Sequence, residues 1–323
     1  MDRLLPRSTS LAFVEDTHAK LLAAYILVDH PVPVYVFPFS SRLVASIPSI
    51  ASRTRTLLVI DSPPRLPPLR NVYYLHHHGY RGRDDEIAVD SVVETFETVR
   101  RPRNEAEELA IRIAVAADRD FSSLRFYHPE DLKDVLWLEL PKGTDLQALT
   151  NALRSGDAYE LLSFFRSSME RAEREVRRLR WEAVGDVVVA VGSRVPTYRA
   201  LELLALSTGT QLAVGYGLAP LNSTNSVYGD RAIRAVSLFP YAEPIAGTIL
   251  GRAAERLGIA AELSHPGAGT VFVRSASEAR KLLDVLGEML AEHGLWVGKG
   301  LGEAIAALAT YTYGAKIRAA QRW

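Results

Sequence analysis

The chain has 323 residues, no cysteine and a formal net charge of +0. Its length suits two domains of ordinary size, while the missing cysteine excludes a disulfide framework and any thiolate ligand or nucleophile. Balanced charge excludes a global attraction to nucleic acid, so any such binding must come from a local patch.

The 38 basic residues divide into 32 arginines and 6 lysines, a bias that suits a hot habitat or forked recognition of phosphate. Residues 1–10 lack the apolar run of a secretory signal, and the uncharged stretch 205–229 is broken by Gly, Pro and Asn, so neither a signal nor a membrane span is expected. The expected location is cytoplasmic.

In chain order, residues 11–14, 34–37, 57–60 and 72–75 are short apolar runs without polar alternation, as buried parallel strands require. Residues 20–28 have the apolar density of a helix, with Asp16 and Thr17 as capping candidates. Helical patterns follow at 89–99 and 104–117. Strands alternating with helices predict a parallel sheet covered on both faces. The segment 129–181 is predicted mostly helical. It ends in a long helix over 158–181 whose arginines (Arg166, Arg171, Arg174, Arg177, Arg178, Arg180) interleave with Glu170, Glu173 and Glu175. That helix is either a solvated rod held by its own ion pairs or a ridge for a nucleic-acid backbone. Strand patterns resume at 187–191, 211–216, 233–239 and 271–274, with helices at 196–207, 245–257 and 277–293. The predicted organisation is a domain at 1–128, a helical linker at 129–184 and a smaller α/β domain at 185–323.

Polar residues just past the strand ends of a parallel sheet line its ligand crevice. Here they are Glu15, Asp16, Thr17 and His18, then Asp61, then His76, His77 and His78; Asp118 closes a helical run. Carboxylates and histidines converging on one crevice are what two-metal hydrolysis of a phosphodiester needs. Taken singly, Asp61 also suits a cap before Ser62-Pro63-Pro64, Asp118 a helix end, and the histidines a partly exposed loop. Adjacent histidines on a strand point to opposite faces, so all three cannot serve one ion.

This ordered set resembles the DHH phosphoesterase superfamily, which includes the RecJ nucleases. In that family a first strand ends in His-x-Asp-x-Asp-Gly, a second in Asp and a third in Asp-His-His, and a further Asp follows a helix. The resemblance implies that Asp16, His18, Asp61, His77, His78 and Asp118 would form the active site. The chain departs from the pattern. One register puts Thr17 and Ala19 at the two aspartates and Lys20 at the glycine. The neighbouring register keeps Asp16 and offers His18 as a ligand, but sets Lys20 on a buried position. His76 replaces the Asp of Asp-His-His. So depleted of acid, the site is expected to hold at most one ion, through Asp61, His77 and Asp118.

In the second half, residues 261–273 (Ala-Glu-Leu-Ser-His-Pro-Gly-Ala-Gly-Thr-Val-Phe-Val) resemble the Gly-Gly-His-x-x-Ala-Ala-Gly signature of the DHH-associated domain. The resemblance implies a glycine-rich turn where His265, Gly267 and Gly269 approach phosphate or a base edge; a plain turn between helix and strand is the alternative. Gly298, Lys299, Gly300 and Gly302 precede an apolar helix and suit a phosphate-binding terminus or a flexible turn. Tyr311, Tyr313, Arg318, Arg322 and Trp323 form an aromatic and basic tail.

Fold kept with motifs lost is the character of archaeal RecJ-like replication factors related to cell division cycle protein 45. The resemblance therefore implies a non-catalytic factor that binds single-stranded DNA, through Arg174, Arg178 and the His265 turn, and joins the MCM helicase and the GINS complex. On that reading no cofactor is expected. The alternatives are a nuclease or phosphodiesterase using manganese or magnesium through a rearranged ligand set, and a nucleotide-binding regulator.

Overall fold

The computed structural model describes residues 9–78, 83–219, 230–298 and 300–309. The chain divides into two compact units, Met1–Met169 and Glu170–Trp323.

In the first unit, β1 (Thr9–Val14), β2 (Val34–Phe37), β3 (Thr56–Ile60), β4 (Val72–His76) and β5 (Glu86–Ala88) form a sheet in the order β2-β1-β3-β4-β5. Every pairing is parallel. Central strands covered on both faces carry no polar alternation, and Leu11, Ala12, Phe13 and all of β3 are buried. Helix α1 (Thr17–Leu27) joins β1 to β2, and α2 (Ser40–Ala51) joins β2 to β3. Leu43 and Ile47 of α2 pack on Ala12, Leu57, Val59 and Tyr74. Together with α3 (Val92–Val99) and α4 (Glu105–Asp118), α1 covers the opposite face. The caps are local chemistry: Asp16, Ser91 and Asn104 side chains accept the backbone N–H groups of Ala19, Glu94 and Glu107.

The chain steps outward from β1 to β2, then back across β1 to β3. Strand order therefore reverses between β1 and β3, and the crevice beyond such a reversal is where open parallel sheets bind ligands. Asp16, His18 and Asp61 stand at its rim.

Residues 129–169 pack into this unit: α6 (Leu146–Ser155) lies on α1 and α4, α5 (Pro129–Leu132) on α4, and α7 (Ala158–Ser163) on α4 and α6. The long helix predicted over 158–181 is interrupted. After α7 the chain buries Phe165, then runs as α8 (Arg166–Val176), and Trp181 belongs to a strand.

In the second unit, β6 (Arg180–Val184), β7 (Val187–Arg194), β8 (Leu212–Leu218), β9 (Arg231–Ser237), β10 (Ala261–His265) and β11 (Ala268–Val273) follow the order β10-β11-β9-β8-β7-β6. Only β7 and β8 pair in parallel. Helices α10 (Ala246–Arg256) and α11 (Ala276–Glu292) cover one face through Ile249, Leu250, Leu282 and Leu286. On the other lies α9 (Tyr198–Thr208), so close that a Cβ on Gly215 would meet Pro196 at 2.9 Å and Leu201 at 3.1 Å. The elements absent from the sequence reading are α2, β5, β6 and β10. No helix among the described residues is long and apolar enough to cross a membrane.

Candidate metal centre

Helix α1 fixes the first motif. Asp16 is its N-cap, its Oδ1 accepting the Ala19 N–H at 2.7 Å, and His18 follows on the first turn. This is the register with Asp16 and His18, and it does place Lys20 in the interior. The objection to that register, a buried cation, is met locally: Lys20 Nζ donates to Glu15 Oε1 at 2.7 Å, and the same oxygen accepts the Gly143 N–H at 2.7 Å. Lys20 also holds the Glu15 carboxyl below its ordinary pKa. The lysine is therefore neutralised beside the site and does not repel a cation there.

Asp61 follows β3 with a left-handed φ of 54°, uncommon for a residue other than glycine and tolerated best by Asp and Asn. Its N–H donates to Leu75 O at 2.8 Å, and its side chain is only 9% exposed. Three imidazoles converge on its Oδ1: His18 Nδ1 at 3.2 Å, His78 Nε2 at 3.3 Å and His77 Nδ1 at 3.6 Å. The distances are those of ion pairs but the alignment is not that of hydrogen bonds. Asp61 Oδ1, His77 Nδ1 and both nitrogens of His18 are buried without a hydrogen-bond partner.

The third motif turns on where β4 stops. Its last residue, His76, points away from Asp61 and lies fully buried, with Nε2 3.6 Å from Glu86 Oε1. Beyond the strand the alternation lapses, so both His77 and His78 reach Asp61. His78 N–H donates to His76 Nδ1 at 3.3 Å, an i to i+2 bond of the kind an Asp side chain makes in an Asx turn.

Asp118, at the end of α4, lies 2.7 Å from His77 Nε2. A carboxylate only accepts, so Nε2 carries a proton, which leaves Nδ1, 3.6 Å from Asp61 Oδ1, as the ring nitrogen facing the cluster. The trio whose ligand-type atoms lie within 4.8 Å of one another, and which could hold an ion, is His18, Asp61 and His77. The sequence reading named Asp61, His77 and Asp118; here Asp118 lies against the far nitrogen of His77.

Charge organises the cluster. Burial works to deprotonate His18, but Asp61, with Asp118 and Asp16 behind it, outweighs this and raises the imidazole pKa to about 9. The Asp61 carboxyl is driven down against burial, chiefly by His18. Asp16 is raised to about 7 by the atoms crowded around it and then by the Asp61 charge. Because Asp16 also keeps a solvent-exposed surface, the Asp61 charge is the firmer of those causes.

The other predicted residues belong to the second unit. Arg174 is on exposed α8, paired with Glu170 at 3.2 Å, and Arg178 follows that helix. Residues 261–273 form a β-hairpin and not a turn between helix and strand. His265 ends β10, Gly267 O accepts the Ser237 N–H at 2.8 Å, and Gly269 is an interior rung of β11 between Leu263 and Ala235. Lys299 and the tail from Tyr311 to Trp323 lie outside the described residues.

No family model and no curated protein matches the sequence. Among solved structures, the chain is similar to a pGpG-specific phosphodiesterase from Vibrio cholerae, with a TM-score of 0.56 at 12% identity over 88% of this chain and 99% of that one. It is more distantly similar to CDC45 from Entamoeba histolytica, with a TM-score of 0.46 at 7% identity over 86% and 95%. The second likeness is too remote to carry an argument. The first establishes architecture: this chain has the mixed α/β fold expected of a DHH-like protein, with a parallel five-stranded sheet and a second sheet in a unit of its own.

Proposed function

We propose that this chain is a metal-dependent phosphoesterase acting on phosphodiesters, its site built from His18, Asp61 and His77. The observation that carries this is Asp61: a buried carboxylate ringed by three imidazoles, none aligned to donate to it, with four ligand-type atoms left unsatisfied. Buried polar atoms are almost always hydrogen-bonded, and clustered exceptions point to a missing ion or a catalytic role. The donor set fits a divalent ion, since imidazole and carboxylate are ordinary ligands, and an ion bound there would displace the proton that Asp61 favours on His18. When bound, such an ion polarises a phosphoryl oxygen and acidifies water.

The chain's own residues do the rest. Asp118 fixes the ring and tautomer of His77, and the left-handed backbone of Asp61 aims its carboxylate into the crevice. Asp16 and His78 stand at the rim with exposed surface, positioned to exchange protons with a substrate or water. The phosphodiester class is supported by the fold shared with the pGpG-specific enzyme. The test is hydrolysis of bis-p-nitrophenyl phosphate, pGpG and short single-stranded DNA with added manganese or zinc. Turnover that Asp61→Ala abolishes is expected; no turnover of any of the three with either metal counts against the proposal.

Scarcity of acid favours a second reading, the non-catalytic replication factor. Asp61 is the one carboxylate in the trio, and His76 stands where an acid would be. That protein would hold single-stranded DNA and join MCM and GINS without cleaving. Tight strand binding at low salt, co-purification of helicase subunits and no turnover would establish it instead.

A further inference from the structure

Resting on the metal-site reading above, we infer that the site takes one ion and not a pair, and selects a borderline transition metal, zinc before manganese or magnesium. Two of the three converging donors are imidazole nitrogens and one is a carboxylate oxygen. Hard cations such as magnesium favour all-oxygen shells, whereas imidazole suits zinc and its neighbours. His18, standing where the resemblance implies an aspartate, makes that difference.

The count follows from what the remaining groups already do. Asp16 Oδ1 caps α1 through the Ala19 N–H at 2.7 Å, and Asp118 Oδ2 is taken by His77 Nε2 at 2.7 Å. His76 is turned to Glu86. Among the described residues no second trio of histidine and carboxylate atoms converges. A second divalent ion would find too little negative charge within reach to offset repulsion from the first. The trio itself is built for one: the three side chains are 3%, 9% and 6% exposed, and three protein donors leave a four-coordinate ion one open position. Asp118 completes the carboxylate–histidine–metal arrangement that commonly orients zinc-binding rings.

The test uses the full chain without a histidine tag, stripped with chelator and dialysed against zinc, manganese or magnesium chloride. Ions per chain are then counted by elemental analysis and affinities compared. One zinc per chain is expected, held at least about tenfold more tightly than manganese and absent from Asp61→Ala. Asp118→Asn should weaken zinc by about 10- to 100-fold, and His18→Asp should shift preference toward manganese. Should His18→Asp fail to fold, the wild-type dialysis alone still decides. Two manganese ions per chain, manganese bound as tightly as zinc, or zinc retained by Asp61→Ala would overturn the inference; the first two leave the metallohydrolase standing. No ion bound at millimolar concentration would remove both.

Discussion

Helix α4 carries an acid at each end, Glu107 buried and Asp118 partly exposed, and the networks they join are treated in opposite ways. Near its start, Glu107 is fully buried and fully answered: Arg100 donates to both its oxygens at 2.6 Å and the Arg103 N–H at 2.8 Å. Arg100 in turn donates to Asp29 at 2.7 Å and stacks 4.0 Å from the Tyr25 ring centre. At its other end, Asp118 leads through His77 to Asp61, where four buried polar atoms lie in ion-pair range but have no hydrogen-bond partner. One helix thus separates a network whose donors and acceptors close on each other from one whose buried groups do not align. Buried charge alone does not mark a candidate site; a cluster of buried groups left unaligned does.

The sharpest way to break this contrast is at the closed end. Glu107→Ala should lower unfolding free energy by about 3–5 kcal/mol, because it breaks a doubly hydrogen-bonded pair with a buried carboxylate and leaves the Arg103 N–H unmet, and urea denaturation would measure it. A loss under about 1 kcal/mol, the scale of an exposed pair, would mean the two ends do not differ. At the open end, Asp61→Ala should erase the stabilisation by zinc, about 2.7 kcal/mol at a hundred times the dissociation constant, read as a lost rise in melting temperature.

A smaller effect isolates His76. His76→Asn can still accept the residue-78 N–H and should stay near wild type, whereas His76→Phe leaves that N–H unmet, at a cost of about 1–3 kcal/mol. Equal stability of the two would show the bond to be incidental. Smallest is the backbone term: Asp61→Gly should exceed Asp61→Ala in stability by about 1 kcal/mol, since only glycine rests easily at φ 54°.

The parallel strands were legible because burial on both faces leaves an unbroken apolar run, as in residues 57–60. Helix α2 was not: it contains Pro48 and four serines, and tertiary packing of Leu43 and Ile47 overrides those local signals. Strands β6 and β10 are sheet edges whose polar residues imitate helix and turn. At the site, residue types and order were readable, but the register of the first motif was not. It depended on whether Lys20 could lie inside, and only the fold brings Glu15 and Gly143 to it. The role of Asp118 was equally hidden, because a ligand and a residue that orients one share the same letter.

The Glu15–Lys20 pair has a consequence for how this sequence can change over time. Lys20 alone would be an unpaired charge in the interior, so Glu15 does not drift freely while Lys20 is kept. Natural variants with a neutral residue at position 15 should carry a neutral residue at position 20. Because Glu15 also grips the Gly143 N–H, loss of the pair would loosen a loop more than a hundred residues downstream.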